Sequence, residues 1–305
     1  MEYGVHLPTQ SLDGKAPSLD YLINFVKEAD QLGYTYLAMN DHFGSSRSLL
    51  DPTTTLAAVA SASGRLRLVP SVMLVMLRGI IPSAKYLATL DVLTGGRVIA
   101  GIGPGSQEHE YDMVGLNYNE RWPRFNEATM ALRSLLDPDH VPFKGSYYST
   151  EGITFAPRPV QQPSMPIWIG SWGSNAGLRR VARLADGWLG SALESTPERF
   201  KLAKQRLDVF LEQEGKDPAA FPNAVSTMAL YVNESKADLD RVPLGSQHSM
   251  ESDAPHERTM VGSRNECIEK LHRWKNSGAQ ALFLRPFEDG LNQMRLFKEQ
   301  VAARA

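Results

Sequence analysis

The chain is 305 residues long, 42% apolar and 22% charged, with a formal net charge of −2. That length suits two domains or one large α/β barrel, and the balanced charge argues against nucleic-acid or polybasic membrane binding, which needs a cationic face. Cys267 is the single cysteine, so neither an internal disulfide nor a cysteine metal cluster is possible. The opening residues, MEYGVHLPTQ, carry no basic n-region and no long apolar run. No stretch approaches the ~20 apolar residues of a bilayer span. The expectation is a soluble, cytoplasmic protein that takes a small-molecule substrate and binds neither nucleic acid nor membrane.

Short runs rich in Val, Ile and aromatic residues alternate with helical periodicity along the chain. The expected strands are YGVHLP (3–8), TYLAM (35–39), RLRLVPSV (65–72), RVIAGI (97–102), PIWIG (166–170), GWLGS (187–191), AVSTMALYV (224–232) and AQALFL (279–284). Between the first two, Leu19, Leu22, Ile23, Val26 and Leu32 fall on one helical face. Phe200, Ala203, Leu207, Phe210 and Leu211 do the same before the seventh strand, and Leu291, Met294, Phe297 and Val301 mark a closing helix. Gly33, Gly64, Gly95, Gly187 and Gly278 sit near passages from helix into strand, where a left-handed residue ends a helix without a Cβ clash. Eight strands separated by helices predict a (β/α)8 TIM barrel as a single domain over residues 1–305. Two long connections read as insertions, after helix 4 (about 137–163) and after strand 7 (about 233–261). KGSYYSTEGITFAP in the first predicts a hairpin bending at Glu151-Gly152. The second is polar, holds His248 and His256, and has the length of a lid or of a plain surface insertion.

A barrel of this type carries its active site at the C-terminal ends of the strands. The second strand ends in Asn40, Asp41 and His42. An imidazole exchanges protons near neutral pH, and an adjacent carboxylate can orient it; the same pair can equally be a structural turn. Strand four runs into GIGPGSQEHEY (101–111), where Gly101, Gly103 and Gly105 allow close backbone approach and Glu108, His109 and Glu110 follow. It matches a dinucleotide fingerprint only loosely. Strand five ends in IGSWGSNAGL, so Ser171, Trp172, Gly173, Ser174 and Asn175 precede a helix start that suits a phosphate. Ser174 also reads as a plain N-cap. Strand eight places Arg285 and Glu288 at the mouth, Arg285 either clamping an anion or pairing with a rim carboxylate. A metal-dependent hydrolase would want a His-x-His on strand one, and only His6 stands there. Trp122, Trp172, Tyr111 and Phe287 are candidate pocket aromatics, although plain packing accounts for such residues as well.

Three segments in order, EADQLGYTYLAMNDHF, RLRLVPSVML with AKYLATLDVLTGGRVIAGIGPGSQEHEY, and PIWIGSWGSNAGLRRVARLADGW, resemble the bacterial luciferase-like superfamily of flavin- and deazaflavin-dependent oxidoreductases. The resemblance covers nearly the whole chain. It implies a ring system across the barrel mouth, with its phosphate against Ser171 to Asn175 and the turn Gly103 to Ser106. Ser71-Val72 matches the position of a non-prolyl cis peptide beside the ring. His42 matches the histidine facing the reactive edge in deazaflavin-dependent members, and Glu110 a glutamate common in the family. Many relatives carry Trp, and some deazaflavin dehydrogenases a catalytic Glu, where this chain has Ser106. That leaves Glu108 or Glu110 as imperfect substitutes and weakens a sugar-phosphate dehydrogenase reading.

The resulting expectation is hydride exchange between coenzyme F420 and a small organic substrate, with His42, Asp41 and Glu108 as catalytic candidates. An FMN-dependent monooxygenase fed by a separate flavin reductase is the alternative, and a non-catalytic flavin-binding protein a further one. The long acidic tail of the deazaflavin calls for cationic rim residues, for which Arg47, Arg78 and Arg285 are candidates. By resemblance the protein is expected to be a homodimer.

Overall fold

The computed structural model describes residues 1–8, 16–44, 49–139, 141–191, 195–242 and 255–305, and for 255 and 256 the backbone alone. Ten strands follow one another: β1 (Glu2–His6), β2 (Tyr36–Met39), β3 (Arg67–Pro70), β4 (Ala100–Ile102), β5 (Ile167–Ser171), β6 (Gly187–Gly190), β7 (Asn223–Ser226), β8 (Leu230–Val232), β9 (Met260–Gly262) and β10 (Ala281–Leu284). Eight form one parallel sheet in the order β3-β2-β1-β10-β7-β6-β5-β4. Its edges meet, because Leu68 N–H donates to Arg97 O and Met73 N–H to Gly101 O, both at 2.8 Å. With helices between successive strands, this is a (β/α)8 barrel.

Strand periodicity divides the core in two. Alternate residues Tyr36, Ala38, Val69, Ile99, Trp168, Leu189, Ala224, Ala281 and Phe283 fill the barrel interior. Their neighbours, such as Val5, Leu37, Leu68, Ile167, Val225 and Leu282, pack outward against the helices. The interior aromatics need room. A Cβ on Gly4 would lie 2.6 Å from Phe283 Cδ1, and one on Gly187 would overlap the Trp168 indole. Gly187 is therefore a packing residue inside β6 rather than a helix terminator, while Gly33, Gly64, Gly95 and Gly278 do take the left-handed conformation. The first helix, Leu19–Gln31, buries Leu22, Phe25, Val26 and Ala29, and leaves Leu19 half exposed.

The run 224–232, expected as one strand, is two. Thr227 N–H still bonds Phe283 O at 2.8 Å, but Met228 N–H turns to Arg258 O at 3.0 Å. β8 thus leaves the barrel and pairs with β9 in a separate parallel sheet. A continuous apolar run cannot by itself distinguish one long strand from two short ones. Of the 233–261 connection, His248 and the side chain of His256 lie outside the described residues. In the other long connection the hairpin closes at Gly145–Tyr148, where Gly145 N–H donates to Tyr148 O at 2.8 Å. The bend is set by Glu127, on the helix Arg121–Leu136, which accepts the N–H groups of Ser146 and Tyr147 at 2.9 and 2.7 Å. Glu151-Gly152 forms a second, separate turn. Among the described residues no helix is long and apolar enough to cross a membrane.

Candidate functional site

Beyond β2 the chain presents Asn40, Asp41 and His42 at the barrel mouth. The His42 ring is 30% exposed, and its Nδ1 lies 3.3 and 3.4 Å from the two carboxylate oxygens of Glu110. Glu110 itself is buried and accepts the N–H groups of Phe43 and Gly44 at 2.7 and 3.2 Å. One carboxylate therefore fixes both the turn after β2 and the imidazole it carries. Gln107 Nε2 stands 3.5 Å from the same Nδ1, so the other ring nitrogen, Nε2, is the one left to meet a substrate. Glu108 is exposed on the same short helix, Glu108–Met113, and has no bond to His42.

Asp41 does not orient His42. Its carboxylate is 2% exposed, takes the Leu74 N–H at 2.9 Å, and forms a two-bond pair with Arg78, Nε to Oδ2 and Nη2 to Oδ1, both at 2.7 Å. Arg78 also pairs with Asp51. Burial works against the Asp51 carboxylate, yet hydrogen bonds from Thr53, Thr54 and Arg78 pull its pKa down to about 2. Arg78 is thus neutralised within the wall rather than offered at the rim. Arg47 lies outside the described residues.

The glycines after β4 serve the barrel first. The Ser71–Val72 peptide is cis, and Val72 projects across the mouth. A Cβ on Gly101 would overlap Pro70 O, and one on Gly103 would overlap Val72 Cγ2. One on Gly170 would lie 2.9 Å from Val72 Cγ1. Gly101, Gly103 and Gly170 thus make space for the segment that closes β3 on β4. Gly105 takes φ +78°, and Ser106 is exposed, its carbonyl accepting from Tyr118 Oη at 3.0 Å.

After β5 the chain builds a cradle. Ser171 Oγ accepts Gly173 N–H at 3.3 Å, and Ser174 Oγ accepts Gly177 N–H at 3.2 Å as N-cap of the helix Asn175–Leu184. The N–H groups of Asn175 and Ala176 have no intrahelical acceptor and sit at the positive end of the helix dipole. Arg206 braces the loop, donating to Gly173 O at 3.0 Å and to Asn175 Oδ1 at 3.2 Å. A Cβ on Gly177 would overlap Ser171 Oγ, so the glycine keeps the two serines inside the first turn. Trp172 is 54% exposed.

Opposite, Arg285 Nη2 donates to Asn40 Oδ1 at 2.8 Å. His6, at the end of β1, is buried; its Nε2 stands 3.4 Å from Ser226 Oγ, and its Nδ1 has no hydrogen-bond partner among the described residues. Burial, then the Arg285 charge, push its pKa well below the ordinary 6.5. Glu288 pairs with Arg241 at 3.1 Å. The four candidate aromatics do not gather. Tyr111 is buried against Tyr118, Phe287 packs on Tyr231, and Trp122 lies under Arg180.

Sequence reasoning thus missed His6 as a buried neutral residue and Arg206 as the brace of the cradle. Nothing local marks Arg206, which comes from a helix two elements later. Glu110 was visible as a carboxylate after strand four and as a family position, not as the partner of His42.

The cradle fits a phosphate group: backbone donors at a helix start, two serines, and a glycine where a side chain would fill the space. Both a deazaflavin and a flavin nucleotide bring such a group. The luciferase-like monooxygenase family matches residues 1–243. Over 238 residues, 78% of this chain and 67% of the relative, it is 28% identical to a 5,10-methylenetetrahydromethanopterin reductase of Archaeoglobus fulgidus. In fold it is similar to the monooxygenase RslO1 of Streptomyces bottropensis, with a TM-score of 0.85, 22% identity, and 100% of this chain and 99% of that one covered. It is also similar to an F420-dependent secondary alcohol dehydrogenase, with a TM-score of 0.83, 18% identity, and 100% and 99% covered. With most of its length matched, the chain belongs to the luciferase-like monooxygenase family.

Proposed function

We propose that this protein is an oxidoreductase that exchanges a hydride between coenzyme F420 and a small organic substrate, with His42 as the acid/base. The observation that carries this reading is the His42–Glu110 pair, 3.3 Å apart, on the same barrel mouth as a phosphate cradle. When bound, the deazaflavin supplies the hydride acceptor or donor. Glu110 holds the imidazole through Nδ1, so Nε2 faces the substrate and exchanges the proton that must accompany hydride movement. Ser171, Gly173, Ser174 and Asn175 would hold the phosphate, and Arg206 fixes their loop. The 5,10-methylenetetrahydromethanopterin reductase relative supports a reductase or dehydrogenase.

The family's monooxygenases keep a second reading in play, in which the same cradle holds FMN and a separate reductase supplies reduced flavin. Equilibrium titration with coenzyme F420 and, separately, with FMN, followed by fluorescence, decides between them. Tight F420 and weak FMN binding is the expected result. A preference for FMN would move the protein to the monooxygenase branch.

A further inference from the structure

The outward face of the helix that begins at the cradle is unusual in its charge. Ala176, Arg179, Arg180 and Arg183 recur at the i, i+3, i+4, i+7 spacing of one helical stripe, and they line a groove of about 290 Å³. Elsewhere on the outer helices several arginines and lysines sit beside acids: Arg124 with Glu120, Arg133 with Asp186, Lys204 with Asp208, Arg273 with Glu198 and Glu257. Here two of the guanidinium groups rest on neutral partners. Arg179 stacks on Phe210 at 4.1 Å and donates to Gln213 Oε1 at 3.4 Å. Arg180 lies 4.5 Å over the Trp122 ring and donates to Asn126 Oδ1 at 2.7 Å. Burial, then the neighbouring Arg183 charge, lower the pKa of Arg180. Among the described residues, Arg179, Arg180, Arg183 and Arg206 form no ion pair, and Glu214 at the far end is the one carboxylate lining the groove.

A second cleft of about 190 Å³, lined by Trp172, Gly173, Arg199 and Arg206 among others, adjoins the cradle on its other side. Arg206 bonds Gly173 and Asn175, so cationic groups continue from the cradle onto the helix. Arg179, Arg180 and Arg206 are held by neutral partners, an arrangement that favours an anion presenting several carboxylates in a row.

We propose that this arginine track binds the oligoglutamate tail of the deazaflavin, leading it from the cradle down the outer face of helix Asn175–Leu184. The inference rests on the F420 reading above and names how the same cofactor is selected. From Ala176 to Arg183 the helix rises about 10 Å, a distance that a short extended oligoglutamate chain spans. FMN, which ends at its phosphate, gains nothing from the track.

The test is a fluorescence titration of the full chain with F420 carrying one glutamate and F420 carrying a long tail, at low and high salt. The same titrations are made on the double variant Arg179→Gln/Arg183→Gln. The wild type is expected to bind the long-tailed form about tenfold more tightly, an advantage that shrinks as salt screens exposed charges. In the variant that advantage disappears, while affinity for the one-glutamate form stays the same. Equal affinity for both forms in the wild type, or a tail preference that survives in the variant, would overturn the track while leaving F420 binding intact. Failure of either form to bind would overturn the cofactor reading and the track together.

Discussion

The imidazole of His42 is held by Glu110, 68 residues further along the chain and 3.3 Å from Nδ1, not by its neighbour Asp41. Replacing His42 with alanine is expected to lower turnover by about 10²–10⁴-fold, as for other lost acid/base groups. Cofactor affinity, read by fluorescence, should change little. Glu110→Gln keeps an oxygen for the Phe43 N–H but loses the charge that holds the ring, so kcat should fall while KM stays near its original value. An unchanged kcat in both variants would remove the pair from the chemistry.

Asp41 belongs to stability instead. Asp41→Ala leaves the Leu74 N–H without its acceptor and Arg78 with Asp51 as its remaining carboxylate, so the loss should approach the ~3–5 kcal/mol of a broken buried pair. Urea unfolding should register this loss, while the activity of the molecules that remain folded is retained. A variant as stable as the parent but inactive would return Asp41 to the catalytic set.

Acid stability should fall in two separate windows. His6 is held neutral in the fold, with its pKa well below 6.5. In the unfolded chain it takes a proton near 6.5, so below that pH the unfolded state binds more protons. Its contribution is complete above 6.5 and drains away as pH falls toward the depressed value. For Asp51 the folded pKa of about 2 lies below the ordinary 3.8, so its share is lost only between those values. Thermal midpoints measured from pH 7.5 to 5 should decline less steeply in His6→Gln than in the parent; identical slopes would exclude His6 as the source.

Gly177→Ala sets two effects against each other. Alanine favours a helix over glycine by about 1 kcal/mol, yet its Cβ would displace Ser171 Oγ from the cradle. Binding of F420 and FMN should both weaken while the melting temperature holds or rises slightly. If affinity is retained, the phosphate lies elsewhere.

Cys267 is buried, and burial pushes its thiol up to about 12. With almost no thiolate at neutral pH, it should resist a thiol-specific reagent in the native protein and react fully on unfolding. Stoichiometric labelling of the folded chain, read by mass spectrometry, would contradict the buried placement.

Much of the architecture was legible because it depends on local pattern. Alternation of apolar runs with 3.6-residue periodicity located all eight barrel strands, and the helix at Pro197–Gln213 buries the five residues that its spacing singled out. The Ser174 cap was equally local, needing only a serine three residues before the N–H it accepts. What the pattern misplaced were features set at a distance. The bend of the 144–149 hairpin is decided by Glu127, and the exit of β8 from the barrel by bonds to Arg258 and Arg285.

The candidate site divides along the same line. The order of residues alone determined which segments end at the mouth, because the C-terminal end of each strand follows from the sequence. Only the tertiary structure decided their partners. Asp41 and His42 are adjacent in sequence, but the backbone sends one into the wall and the other over the rim, so the pairing read from adjacency was wrong. The glycines at 101 and 103 read as openings for close backbone approach, and in the fold a Cβ there would meet Pro70 O and Val72. A hydrogen bond depends on distance and direction in space, and the residues that satisfy His42, Asp41 and the cradle come from elements far apart in the chain.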